Sequence, residues 1–265
     1  MEKLIDYIKN CIVPKDETEM VVLDNYDANI FGLMKQDGIM VVKNSDSVKN
    51  SLYNIDHINV PGYTIIRKNF PKQIEWLNYD GSVSFTDSRE PIYRRLIPPP
   101  HESVNHQKII YSFIQQCNGL DKNYLEYGVR TGDSIEVISK YVSKCYGVDM
   151  VPYSPKNTNI EMHVMSTDEF SSVHLPNITF DFAFIDADHS SKQVIIDFDN
   201  IFKYINKGGY IFLHDTYPCL EEMITPYYCN DCYKSPLLIK DKYLPTQYEI
   251  LTFPLNPGVT VIRKI

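Results

Sequence analysis

The sequence predicts an α/β protein: a doubly wound, mostly parallel sheet with an antiparallel C-terminal strand, preceded by a small α/β module. Three observations carry this. From about residue 123, short apolar runs ending in a polar or acidic residue alternate with amphipathic or loop-like stretches, the pattern of crossover units that feed parallel strands. The last two runs, "YEILTF" and "GVTVIRKI", follow each other with no helical pattern between them, so they fit an antiparallel pair closing the sheet. Upstream, "RRLIPPPHES" places Pro98, Pro99 and Pro100 in succession, which imposes extended backbone and a boundary near residue 100. The division expected is an accessory module over 1–100 and a larger domain over 101–265.

Taken in order, the first hundred residues partly echo the last hundred. "VVLDNYD", "IFGLMKQDGIMVVKN" and "PGYTIIRK" resemble "AFIDADH", "FKYINKGGYIFLHD" and "PGVTVIRK" in the same sequence. A degenerate partial repeat is expected, with Lys43 and Asn44 standing where the second copy has His214 and Asp215. The first copy lacks a glycine loop, so it reads as a scaffold that could also mediate self-association. Beyond the prolines, Val104, Ile109, Ile110, Phe113 and Ile114 fit one face of a helix that stops at Asn118-Gly119. Strands are then expected at "YLEYGV", "KCYGVDM", "IEMHVM", "FDFAFIDA" and "GGYIFLHD". The clearest crossover helix is "SSKQVIIDFDNIFKYINKGG", read as running up to its glycines.

Composition narrows the function. A chain of 265 residues, 43% of them hydrophobic, can bury a large core, and a formal charge of -8 disfavours nucleic acid as a partner. There is no uncharged apolar run of about 18 residues, and charges interrupt "MEKLIDYIKNCIVPKDE" every few positions, unlike a signal peptide. A cytoplasmic protein acting on a small-molecule or glycan partner, away from membranes, is expected. The six cysteines are scattered and read as reduced thiols; Cys229 and Cys232 form a lone C-x-x-C without a second pair at zinc-finger spacing.

The segment "LEYGVRTGDS" raises the question of a ligand. A P-loop needs a Lys-Ser/Thr pair after its glycines, and a dinucleotide loop needs three glycines, whereas only Gly128 and Gly132 are present. S-adenosylmethionine has no pyrophosphate and fits better. Glu126 could engage its ammonium group, Asp149 at the end of "GVDM" its ribose hydroxyls, and Asp168 in "STDEF" its adenine amino group. Asp149 and Asp168 also read as ordinary helix N-caps.

On "LEYGVRTG", "GVDM", "STDEF", "FDFAFIDADHSSKQVIIDF" and "NKGGYIFLHDTYP", in this order, residues 103–265 resemble the class I S-adenosylmethionine-dependent methyltransferases. The closest branch is the one containing metal-dependent sugar and macrolide O-methyltransferases. The resemblance implies a Rossmann-like fold, cofactor contacts from Glu126, Gly128, Gly132, Asp149 and Asp168, and a substrate end at Asp186, His189 and Asp215.

The chemistry of those residue types agrees. A hydroxyl must lose its proton to attack a sulfonium methyl, and a divalent cation eases that loss while fixing the oxygen. Asp186 and Asp215, with His214 beside them, are the candidate ligands, suited to magnesium, manganese or calcium, and His189 is the candidate general base. The related sugar enzymes commonly carry two successive acidic residues where this chain has His214-Asp215. The activity expected is O-methylation of a hydroxyl on a sugar, glycan or similar metabolite. A catalytically silent assembly subunit and a metal-dependent hydroxylase-like relative are the alternatives.

Overall fold

The structure, a computed structural model, describes residues 20–23, 38–43, 56–67, 74–77, 83–86, 106–218, 223–253 and 257–265. Before residue 100 it places β1 (Met20–Leu23), β2 (Ile39–Lys43), β3 (His57–Val60) and β4 (Tyr63–Arg67). A separate hairpin follows, β5 (Ile74–Leu77) with β6 (Val83–Thr86). Helix α1 (His106–Gln116) buries Ile109, Ile110, Phe113 and Ile114, and the chain turns out of it through Asn118 at φ 53°. The expected alternation then appears: β7 (Asn123–Tyr127), α2 (Asp133–Ile138), β8 (Lys144–Asp149), β9 (Ile160–Val164), α3 (Thr167–Val173), β10 (Phe180–Ile185), α4 (Ser191–Phe202) and β11 (Ile205–His214). After α5 (Ser235–Lys242), the strands β12 (Tyr248–Phe253) and β13 (Val259–Lys264) pair antiparallel. One boundary differs from expectation. Helix α4 stops at Phe202, and Ile205–Lys207 already belong to β11, because Ile205 pairs with Phe180 as a sheet residue before the glycines are reached.

Eleven strands form one sheet in the order β1-β2-β4-β3-β12-β13-β11-β10-β7-β8-β9. From β11 to β9 all neighbours are parallel, and the winding reverses between β7 and β10. Such a reversal opens a crevice at the carboxyl ends of the strands, where ligands of doubly wound sheets bind. Side chains alternate between two cores: Phe182 and Phe184 of β10 face the layer holding α1, while Ala183 and Ile185 face the layer holding Val194, Phe198 and Ile201 of α4. Phe113 of α1 meets Tyr210 and Phe212 of β11 and Phe253 of β12 edge-on, pinning that helix across two strands.

The N-terminal strands extend the same sheet. β1 is parallel to β2, β2 is antiparallel to β4, and β4 is antiparallel to β3. β10, β11, β13 and β12 repeat that order and those senses. The two sets meet where β3 runs antiparallel to β12, so the sheet has a pseudo-twofold seam. Among the described residues, only Ile250 and His57 pair there as ladder residues. Glu249 completes the join, accepting from the Asn59 backbone at 2.8 Å and from Asn59 Nδ2 at 2.6 Å, while Arg263 donates to both of its oxygens.

Candidate active site

Because β7, β8, β10 and β11 run parallel and adjacent, their carboxyl ends bring Gly128, Asp149, Asp186, His214 and Asp215 to one edge of the sheet. The turn after β7 is glycine for a steric reason. Gly128 has φ 87°, and a Cβ there would lie 2.1 Å from the Asp186 carbonyl oxygen. Glycine thus lets the loop lie directly against the end of β10. Gly132 has φ 80°, and its Cβ would strike the Tyr153 ring at 2.1 Å; that tyrosine donates to Glu136 Oε1 at 2.7 Å.

Asp149 ends β8 and braces the same loop. Its Oδ2 accepts from the Arg130 backbone N–H at 2.7 Å and its Oδ1 from Val151 N–H at 2.8 Å. Each carboxylate oxygen keeps a further lone pair able to accept another hydrogen bond. Asp168 lies exposed in the first turn of α3, where Ser166 is the N-cap and Gln193 Nε2 approaches Asp168 Oδ1 at 3.4 Å.

Glu126 departs from its expected role. The structure buries it completely beneath the loop, with Oε2 accepting from the Tyr124 hydroxyl at 2.6 Å and Oε1 without a partner among the described residues. Burial pushes its pKa up to about 8. It therefore keeps its proton at neutral pH and offers an ammonium group no charge. A carboxylate placed just before a glycine turn reads as exposed in sequence, but it sits at an inward position of β7.

At the neighbouring strand ends, two carboxylates meet two imidazoles. His214 Nδ1 lies 3.0 Å from Asp186 Oδ1 and 3.2 Å from Asp215 Oδ1. On the open side, His189 Nδ1 is 3.0 Å from Asp215 Oδ2 and its Nε2 is 3.5 Å from Asp186 Oδ1. One ligand atom each from Asp186, His189 and Asp215 lies within 4.8 Å of the others, a spacing that one cation can bridge. Asp215 holds φ 57°, backbone rarely adopted by a residue with a side chain.

The charges follow from this packing. Burial alone would raise the Asp186 pKa, yet the charge of His214 and hydrogen bonds from both histidines hold it well below the carboxylate range. Hydrogen bonds to Asp186 and then Asp215 lift His189 to about 11. Burial works to lower His214, but Asp186 raises it on balance.

The geometry groups the two histidines differently. His189, expected as the base, lies against both carboxylates, in the group of three whose ligand atoms fall within 4.8 Å of one another. His214, expected as a ligand, is not in the group that could share one ion. It lies on the buried side and orients both carboxylates through Nδ1, while its Nε2 has no partner among the described residues.

Sequence reasoning also missed His106. The first residue of α1, it stacks on Phe184 at 5.2 Å and meets His214 edge-on at 4.4 Å, and burial, then His214, lower its pKa to about 4. No local motif marks it. The signal available was that its helix must cover a strand already thought to carry the site.

Segment 223–234 closes over this edge. The Tyr228 carbonyl contacts His189 Nδ1, Asp231 accepts from Ser191 N–H at 2.7 Å and Ser191 Oγ at 2.9 Å, and Cys232 Sγ reaches the His214 carbonyl at 3.1 Å. Among the described residues, Cys117, Cys145, Cys229 and Cys232 form no disulfide. A cleft of about 1060 Å³ lies at the opposite, amino ends of β10 and β11, lined by Asp181, Lys207 and Arg263 among others; none of the candidate site residues borders it. Among the described residues no helix is long and apolar enough to cross a membrane.

Residues 125–216 match the profile of a family described as a methyltransferase domain. An uncharacterized protein of Acanthamoeba polyphaga mimivirus is 24% identical over 170 residues, covering 53% of this chain and 72% of that protein. Among solved structures, the O-methyltransferase TomG of Streptomyces achromogenes, in complex with S-adenosylmethionine, superposes with TM-score 0.47 at 12% identity, over 63% of this chain and 83% of its own. A Podospora anserina methyltransferase bound to S-adenosylhomocysteine gives TM-score 0.45 at 17% identity, over 62% and 80%.

Proposed function

We propose, on the premise that residues 125–216 are a methyltransferase domain, that the chain moves the methyl group of S-adenosylmethionine to a hydroxyl of a sugar, glycan or similar small metabolite. The observation that carries the reading is adjacency: Gly128 presses the cofactor loop against Asp186, so a methyl donor seated on the loop would face the Asp186–Asp215 pair. In this reading Asp149, which braces the loop through Arg130, takes the ribose, and Asp168, beside Gln193 at the start of α3, takes the adenine; both assignments rest on their positions at the strand ends. Glu126 supports the loop from below as a neutral carboxyl. S-adenosylmethionine supplies the activated methyl group.

Asp186 and Asp215 are the residues that would hold a divalent cation, whose contribution would be to lower the pKa of the acceptor hydroxyl and fix its oxygen. The donor set fits: two carboxylates this close repel, and the imidazoles flanking them support a reading in which the pocket takes positive charge. His214 keeps both carboxylates aimed at the same point. Tyr227 and Tyr228, 94% and 61% exposed beside His189, offer faces for a sugar ring to stack on.

Calorimetric titration with S-adenosylmethionine, followed by methyl transfer from labelled cofactor to a panel of sugars and nucleotide-sugars, tests the reading. Saturable binding with transfer to a hydroxyl is expected, abolished by chelator while cofactor binding persists, and Asp186→Asn should behave like chelation. Failure to bind the cofactor would end the proposal.

A further inference from the structure

We propose that His189 is a third protein ligand, through Nε2, of the cation held by Asp186 and Asp215, so that this site selects a first-row transition ion over magnesium or calcium. The inference rests on the divalent-cation reading above and names the class of ion. Three observations converge on it. The Nε2 atom stands 3.5 Å from Asp186 Oδ1, and ligands about 2.1 Å from one ion lie roughly 3 to 3.5 Å apart. Asp215 Oδ2 lies 3.0 Å from Nδ1 of the same ring, and one ligand atom each from the three residues falls within 4.8 Å of the others, a compact group of one nitrogen and two oxygens. Nδ1 also contacts the Tyr228 carbonyl, which can only accept, so Nδ1, facing two acceptors, carries the proton and Nε2 presents its lone pair toward Asp186 once a cation replaces the second proton. An imidazole fixed through its other nitrogen by a backbone carbonyl is the usual arrangement of a metal-binding histidine.

The loop that carries His189 is also immobilised for this. Asp188 Oδ1 accepts from Ser190 N–H at 2.7 Å, Ser190 caps α4 at Gln193, and Asp231 grips Ser191 through both of its oxygens. The backbone that carries the ring cannot shift without breaking that set. Magnesium and calcium prefer oxygen donors alone, whereas one imidazole with two carboxylates and open positions suits manganese, iron, cobalt or zinc.

The test uses the full-length protein titrated separately with manganese, cobalt and magnesium, with S-adenosylmethionine binding measured on the same samples. One equivalent of cobalt should bind with visible absorption bands, resist about 100-fold excess magnesium, and manganese should show nitrogen coupling in pulsed paramagnetic resonance. His189→Ala should remove that coupling and weaken cobalt by about 10-fold or more, leaving magnesium affinity unchanged. His189→Asp should move the preference toward magnesium. Equal affinity for magnesium and cobalt, or wild-type protein without nitrogen coupling, overturns the assignment of His189 while intact cofactor binding leaves the methyltransferase reading standing. Cobalt bound through nitrogen with no cofactor binding supports the ligand set and sinks that reading instead.

Discussion

A carboxyl that keeps its proton to about pH 8 ties folding stability to pH with a definite sign. Glu126 loses its proton near 4.5 in the unfolded chain and near 8 in the folded one, so between those values only the folded state binds the proton and stability falls as pH rises. The difference in melting temperature between Glu126→Gln and the parent should be flat below about pH 4.5 and grow in the variant's favour up to about pH 8; a difference independent of pH would show that the buried group is already ionised. Asp149→Ala should weaken S-adenosylmethionine by about 1 to 3 kcal/mol, the loss of charge-assisted hydrogen bonds to ribose, readable by calorimetry. Asp149 and Asp186 were legible because each closes an apolar run, and a carboxylate at the end of a buried strand needs a partner. The burial of Glu126 and the different placement of His189 and His214 about the two carboxylates were not, because they depend on which way each ring and carboxyl turns within a cluster drawn from several elements.

Among elements, the seam between β3 and β12 leans on side chains where ladder bonds run out. Removing Glu249 leaves the Asn59 backbone N–H, the Asn59 amide and the Arg263 guanidinium short of an acceptor at once. Glu249→Ala should therefore cost about 1 to 3 kcal/mol in urea unfolding, while cofactor affinity, read at the far edge, stays unchanged. A loss of affinity equal to the loss of stability would mean that the seam and the cofactor loop are one unit. The strands from 123 onward could be read locally, since each is an apolar run between turn signals. β3 could not. "HINV" is short, half polar, and its partner β12 lies about two hundred residues away, so nothing nearby announces the pairing. The connection also reaches the site: the guanidinium of Arg67, at the end of β4, lies 5.1 Å over the Tyr217 ring, two residues after Asp215.

For the whole molecule, the paired four-strand sets make a test of what the first set does. It has strand order in common with β10–β13, and the sequence before residue 100 has no glycine pair like Gly128 and Gly132, so we propose that it serves as scaffold, and calorimetry should return one S-adenosylmethionine per chain. Two would show a second pocket. The seam also sets a clock. Asn59 and Glu249 are 190 positions apart, so during synthesis the outer edge of β3 waits for nearly the whole chain before its partner exists. An unpaired strand edge left open for that long is a template for pairing with other nascent chains, and closing so distant a contact is slow. Biogenesis of this protein therefore depends on β12: a ribosome stalled before it releases a segment whose β3 edge has no partner, and such a product should partition into aggregates even though the strands ending at Gly128, Asp149 and Asp186 have already been made.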